Sequence, residues 1–505
     1  MSGEKFRSSA AVLLTRDEGR EVFLVERSSK LSFFGGYWAC PGGVLDAVDC
    51  EHGEPSSGFT PSESDLARCA ARELFEETGV SVPELTEFFA RPKAPTRDDL
   101  QGQLLAGETA AWGEWIVSEA SNWQAFESLR RVCTLTTPPF APVRYRTEFL
   151  HLELRGGEEP VVKPGELVRG EFMRPADVLE RWTNGELFVV PPVLFLLREL
   201  CDGPLDDALN KAGAFSEEIA AGRLSEIRHT PGVFTAPLRT PTIPPATTTN
   251  CYLVGEQEVY VIDPATWEES ERERLFNLMD RWIASGKTFK GVLVSHHHHD
   301  HIGSVVETAA RYQLEVLAHP LTLERLPELP CGSRALVDGD RLELGLAPDG
   351  RAGWGLSVYH TPGHDRGHLV FVEDRYGAAL VGDLVSTLST IIIDPPEGHL
   401  ATYLASLRRI GAMSLGVLYP SHGPAARDGK TYIEKFIAHR GMREEQLVAG
   451  LTAGLSGVDQ LLERVYRGTP PEIMPLAERS LVAGLEKLAE EGRVKRVRGC
   501  WSLCS

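Results

Sequence analysis

The stretch SHHHHDHIGS, residues 295–304, packs five histidines and an aspartate into six consecutive positions. An expression tag sits at a terminus among linker residues. This run is internal, following the apolar GVLV of Gly291 to Val294 and preceding the helix-like SVVETAARY of Ser304 to Tyr312. The flanks read as a strand going in and a helix coming out, in a region where strands and helices alternate as far as about Gly423. In extended backbone, side chains two apart share a side, so His296 and His298 converge while His297 and His299 point away. Asp300 and His301 open the next helix and face a neighbouring position. Imidazole and carboxylate suit zinc, with manganese or iron as alternatives. The spacing therefore predicts His296, His298, Asp300 and His301 as metal ligands, and His297 and His299 as dispensable for metal.

Three further pieces follow in order: YHTPGHDRGH with His364, LVGDLV with Asp383, and YPSHG with His422. Together they supply seven nitrogen and oxygen ligands. This order and chemistry resemble the metallo-β-lactamase superfamily, whose pattern His-x-His-x-Asp-His, then His, Asp and His, is matched at every ligand position. The resemblance implies that His296, His298 and His364 hold one ion, that Asp300, His301 and His422 hold the other, and that Asp383 bridges. It implies two Zn2+ ions, hydrolysis by metal-activated water, and Asp300 orienting that water.

Antibiotic-degrading members commonly carry Cys at the position of Asp383, which argues against a true β-lactamase. The stretch 384–421 is too short for the large inserted domain of the RNA-processing and DNA-repair nucleases. Compact hydrolases similar to glyoxalase II remain, together with endoribonuclease-like proteins that end in a winged helix. TNCYLVG, TPGHDRGH, IAHRGMREEQ and LEKLAEEGRV resemble the second group, over residues 229–505. That group implies single-stranded RNA as a partner. Arg493, Lys495, Arg496 and Arg498 are then candidate phosphate contacts, or equally the solvated face of a wing hairpin.

Towards the amino terminus, ARELFEETGV (71–80) sets Glu73, Glu76 and Glu77 at i, i+3 and i+4 on one helical face. Three carboxylates there suit Mg2+ or Mn2+, hard ions that prefer oxygen and grip diphosphates. An ordinary solvated helix carries the same charges. The stretch resembles the Nudix box, which runs Gly, five residues, Glu, seven residues, then Arg-Glu-apolar-x-Glu-Glu-x-Gly-apolar. Arg72 to Val80 match the last part, and Pro41-Gly42-Gly43 supply the start. The resemblance implies a metal-dependent hydrolase of nucleoside diphosphates linked to another group, with the three glutamates as ligands and Arg72 orienting a carboxylate.

Residues 44–71 separate Gly43 from Arg72, an insertion of fifteen in the Pro-, Ser- and Gly-rich segment around EHGEPSSGFTP. Counting back eight from Arg72 reaches Ser64 rather than the family's Glu, with Glu63 adjacent as a substitute. PGGVLDAVD, RYRTEFL and GELFVVPPVLFLL resemble the peroxisomal coenzyme A diphosphatase group, over roughly residues 5–200. A later acid often completes such sites, and Glu166 and Glu171 are the candidates. An inactive binding or sensing relic is the alternative reading.

Composition frames these sites. At 505 residues the chain predicts two to four domains, with 42% hydrophobic and 25% charged residues giving ordinary cores. The net charge of -20 opposes nonspecific nucleic-acid binding by the molecule as a whole. Nine scattered cysteines without a Cys-x-x-Cys pair predict free thiols. No apolar run reaches membrane-span length and the start lacks a secretory pattern, so a cytoplasmic protein without membrane partners is expected. The oligomeric state stays open.

The expected architecture is multidomain α/β: a Nudix α/β/α sandwich over 1–205, a linker over 206–228, a metallo-β-lactamase αββα sandwich over 229–440, and a winged-helix-like subdomain over 441–505. Three helical stretches and the final hairpin VKRVRGCWSL define the last. The expected function is a metal-dependent hydrolase with two heads. One is a diphosphatase for a small nucleotide or coenzyme A type substrate; the other is a hydrolase of thioesters, esters or phosphodiesters. The alternative is a single-stranded RNA endoribonuclease whose Nudix part senses a nucleotide.

Overall fold

The computed structural model describes residues 6–31, 34–50, 59–91, 94–119, 128–155, 158–225 and 227–504. The inserted segment 51–58 lies outside them. The chain divides into two compact units between Pro231 and Gly232.

The first unit is built on the strand Arg7–Arg16, where alternation sorts side chains to two faces. Val12 and Leu14 pack with Leu74 and Phe75 of the helix Glu63–Thr78. Leu13 faces the other way, with Leu24, Leu194, Leu197 and Phe215. This strand pairs in parallel with Tyr145–Glu153 and antiparallel with Glu21–Arg27, and Gly42–Val44 pairs against its start. The result is a mixed seven-stranded sheet between helical layers. Ser62 caps the helix Glu63–Thr78 reciprocally with Asp65, and Gly79 ends it in the left-handed region at φ 70°.

Leu205–Ala220, most of the expected linker 206–228, is a helix and not a connector. It buries Leu209, Ala212 and Phe215 in the core of the first unit, and burial of that apolar stripe holds it there.

The second unit contains two six-stranded sheets. In the first, Thr288–Leu293 runs parallel to both Glu258–Ile262 and Val316–Ala318. In the second, Ala379–Gly382 runs parallel to Val417–Pro420. The Pro- and Thr-rich stretch at its start forms buried strands, Val233–Arg239 and Thr248–Gly255, which pair antiparallel. The helices Gly429–Thr452, Val458–Val465 and Met474–Glu490, with the hairpin Val494–Val497 and Cys500–Leu503, enclose a core of their own around Leu447, Leu461, Leu485 and Trp501. The nine cysteines are free. Among the described residues no helix is long and apolar enough to cross a membrane.

Candidate functional sites

Parallel strands present their carboxyl ends along one edge, and the seven predicted ligands emerge there. His296 and His298 follow Thr288–Leu293, Asp300 and His301 lie on the short helix His299–Ile302, Asp383 follows Ala379–Gly382, and His422 follows Val417–Pro420. His364 sits in the turn between Trp354–His360 and Leu369–Glu373. Both sheets thus contribute to one cluster.

His298 Nδ1 lies 3.1 Å from His296 Nε2 and 3.0 Å from His364 Nε2. His422 Nε2 lies 3.4 Å from Asp300 Oδ2 and 3.5 Å from Asp383 Oδ1. Asp383 also faces His364 Nε2 at 3.5 Å and His301 Nε2 at 3.7 Å, so its two oxygens reach toward both groups of imidazoles. The ligand atoms of His296, His298 and His364 gather closely enough to hold an ion, and so do those of Asp300, His301 and His422.

The donor set fits metal. His301 Nε2 and Asp383 Oδ1 are buried without a hydrogen-bond partner, a costly state unless an ion takes their lone pairs. Tetrahedral bonds of about 2.1 Å would separate neighbouring donors by about 3.4 Å, close to the spacing seen here. Burial and the facing imidazole of His364 push His298 down to about 3, and burial with four neighbouring imidazoles, those of His301, His298, His364 and His368, holds His296 well below its ordinary value. Both therefore present neutral rings. Burial alone would raise Asp300 and Asp383, but His301 and His422 hold both carboxyls below the usual range.

The outer nitrogens are tied down. His301 Nδ1 meets Asp263 Oδ2 at 3.0 Å, and Asp263 also accepts from Ser295 N at 2.7 Å and Ser295 Oγ at 2.6 Å. His364 Nδ1 faces the Ile392 carbonyl at 2.8 Å, and His422 Nδ1 the Thr248 carbonyl at 3.0 Å. Such partners fix ring orientation and tautomer. Sequence reading missed Asp263, although it is the first charged residue past the apolar end of the strand Glu258–Ile262.

His299 turns away from the cluster, as its register predicts: it is exposed and stacks on Trp267 with ring centroids 4.4 Å apart. His297 is more engaged than expected. Its Nδ1 pairs with buried Asp365 at 2.5 Å, and together with His298 and Asp365 it forms another grouping of metal-compatible atoms.

In the first unit, Arg72 organises the carboxylates. It binds Asp49 through Nε at 2.9 Å and Nη2 at 2.8 Å, and its Nη1 lies 2.9 Å from Glu73 and 3.2 Å from Glu76. Glu77 accepts from the Gly42 amide at 2.8 Å. A Cβ on Gly43 would lie 2.5 Å from the Glu73 carboxylate, so only glycine permits this approach. Burial pushes Glu73 up to about 7 and raises Glu76 and Glu77, against the pull of Arg72 on the first two. Crowded, desolvated carboxylates of this kind are relieved by a cation. Among the described residues, however, the three glutamates do not close into a ligand triad; every such grouping lies in the second unit.

The acid expected at Ser64 or Glu63 stands elsewhere. Glu63 is 87% exposed at the helix start, 3.8 Å from Arg131. Asp49, fully buried, holds Arg72 instead. It stands six positions past Gly43, with five residues between as in the Nudix box, which places the insertion after the acid and out of reach of a count back from Arg72. Glu166 lies near enough to Glu76 to raise its pKa, whereas Glu171 pairs in register with Leu24 within the sheet.

Comparison with known proteins gives three family-model matches in chain order: NUDIX domain at 5–117, Metallo-beta-lactamase superfamily at 244–422, and Beta-lactamase associated winged helix domain at 458–501. Lactamase-like protein adaB of Aspergillus niger is 28% identical over 49% of this chain and 76% of its own length. Atrochrysone carboxyl ACP thioesterase AacuM of Aspergillus aculeatus is 29% identical over 50% of this chain and 78% of its own. A solved NUDIX hydrolase from Alicyclobacillus acidocaldarius is 27% identical, covering 41% of this chain and 97% of its own, with a TM-score of 0.33.

Proposed function

We propose, for a hydrolase chain that carries a NUDIX domain, a metallo-beta-lactamase domain and an associated winged helix in that order, two separate metal-dependent activities. The first head cleaves a diphosphate in a nucleotide or coenzyme A type compound; the second cleaves a thioester. The carrying observation is the gathering of His296, His298 and His364 in one group and of Asp300, His301 and His422 in another, with the two oxygens of Asp383 facing both. The thioesterase name of one relative favours a carbonyl over a phosphodiester at this head. An acyl-coenzyme A carries both scissile groups, which makes that class the economical choice of substrate.

In the second head, a pair of divalent ions, Zn2+ by the donor chemistry, would supply Lewis acidity and a water of near-neutral pKa when bound. His296, His298 and His364 would hold one and Asp300, His301 and His422 the other, with Asp383 shared. Asp300, at the helix start, orients the attacking water, and Asp263 keeps His301 in the tautomer whose Nε2 faces inward. In the first head Glu73, Glu76 and Glu77 would hold Mg2+ or Mn2+ at the diphosphate. Arg72, locked by Asp49, fixes the carboxylates on either side of it.

The test is a product screen by mass on purified full-length protein, with Mg2+ or Mn2+ and with Zn2+, against coenzyme A, acyl-coenzyme A, nucleotide sugars and short single-stranded RNA. Phosphopantetheine release that is lost in a Glu76→Gln/Glu77→Gln variant, with thioester cleavage lost in His298→Ala, supports both heads. RNA cleavage lost in His298→Ala, with coenzyme A and its thioesters untouched, overturns the thioester assignment and favours a nuclease with a nucleotide-sensing first unit.

A further inference from the structure

His368, four residues past His364, belongs to none of the ligand groupings, yet it lies beneath the cluster with no exposed surface. The backbone amide of Asp383 donates to its Nε2 at 3.0 Å. That nitrogen must therefore carry a lone pair, and in the neutral ring the proton sits on Nδ1. Nδ1 lies 2.8 Å from Thr361 Oγ1 and donates to it, while the Thr361 hydroxyl faces the His368 carbonyl at 3.4 Å.

The surroundings hold this ring in place. The Thr361 amide donates to the His368 carbonyl at 2.9 Å, and the next amide, Leu369, donates to the Ser295 carbonyl at 2.8 Å. The imidazole packs 5.2 Å from that of His296, centroid to centroid. Gly382, at φ 53°, brings the 382–383 peptide onto the ring: a Cβ there would lie 2.6 Å from His368 Nε2. His368 thus touches the backbone of two ligand-bearing stretches, at 361 and 383, and its neighbour Leu369 touches a third at 295.

We infer that His368 is a positioning residue for the shared carboxylate, acting through the Asp383 amide and locked in one tautomer by Thr361. The inference rests on the reading of the cluster as a two-ion centre. Because Asp383 faces both groups of imidazoles, displacing it disturbs both ions, whereas loss of an outer histidine such as His298 disturbs one.

The experiment is a titration of the metal-free full-length chain with Zn2+ and, separately, with Co2+, read by calorimetry and by the Co2+ visible absorption. His368→Leu is expected to weaken both ions by about 10–100-fold, the usual effect of removing a partner behind a ligand. His368→Gln, which keeps an acceptor for the amide and a donor for Thr361, is expected to recover most of the affinity and the absorption band. Thr361→Val, which keeps volume and removes the hydroxyl, is expected to fall between them, and it decides the matter should His368→Leu fail to fold. Wild-type affinity for both ions in His368→Leu, or in Thr361→Val, overturns the inference. A wild-type chain that binds neither ion overturns instead the metal-centre reading on which it stands.

Discussion

Arg72 grips Asp49 through two parallel hydrogen bonds, Nε to Oδ1 at 2.9 Å and Nη2 to Oδ2 at 2.8 Å, with both side chains almost fully buried. The two residues flank the fifteen-residue insertion, so the contact rejoins the halves of the interrupted motif across it. A buried, bidentate pair of this kind also fixes the guanidinium that faces Glu73 and Glu76.

Removing one partner leaves a buried charge uncompensated. Asp49→Ala should destabilise the first unit by about 3–5 kcal/mol, seen as a lower urea midpoint for its transition. Glu63→Gln, at an exposed ion pair, should move that midpoint by less than about 1 kcal/mol. Equal effects would show that Asp49 matters no more to this unit than the exposed Glu63.

The histidine run should divide by register. His298→Ala is expected to lose one metal equivalent by elemental analysis, and thioester cleavage with it. His299→Ala should keep both equivalents, because its ring faces Trp267 and solvent. Loss of metal in the second variant would contradict the geometry of the loop.

Asp263 accepts three hydrogen bonds, two from Ser295 and one at His301. Asp263→Asn should lower metal affinity by about 10–100-fold while far-ultraviolet circular dichroism is retained. Unchanged affinity would show that Ser295 and the peptide chain alone hold His301 in place.

Acid should weaken the first unit through His151, whose Nε2 lies 2.8 Å from Thr15 Oγ1. Burial lowers this imidazole from 6.5 to about 4. Its folded pKa is below the unfolded one, so the unfolded chain binds the proton first. Stability is full above about pH 6.5 and declines down to about pH 4, by up to about 3 kcal/mol from this group. Urea midpoints at pH 7 and pH 5 should differ less in His151→Gln than in the wild type.

The seven residues that gather in the second unit were legible in sequence as candidate ligands because each sits in a short pattern with fixed spacing, and because strand register alone separates His298 from His299. Asp263, Asp365 and His368 were not. Each acts through a partner supplied by another stretch of chain, so no local pattern singles it out. Asp49 was obscured by counting through an insertion. The helix Leu205–Ala220 is not legible as part of the first unit because the strongest boundary signal is the Pro- and Thr-rich stretch after it, where tertiary burial overrides weak propensity and makes strands.

Because the candidate ligands come from both sheets, the cluster spans the seam of the sandwich. Ions bound there stabilise the fold by mass action, each by about 2.7 kcal/mol when free metal stands a hundredfold above its Kd. A chelator then acts on the second unit as a denaturant, lowering its Tm and opening it to proteolysis. The supply of metal would set how much of this protein survives in a cell as well as how fast it works.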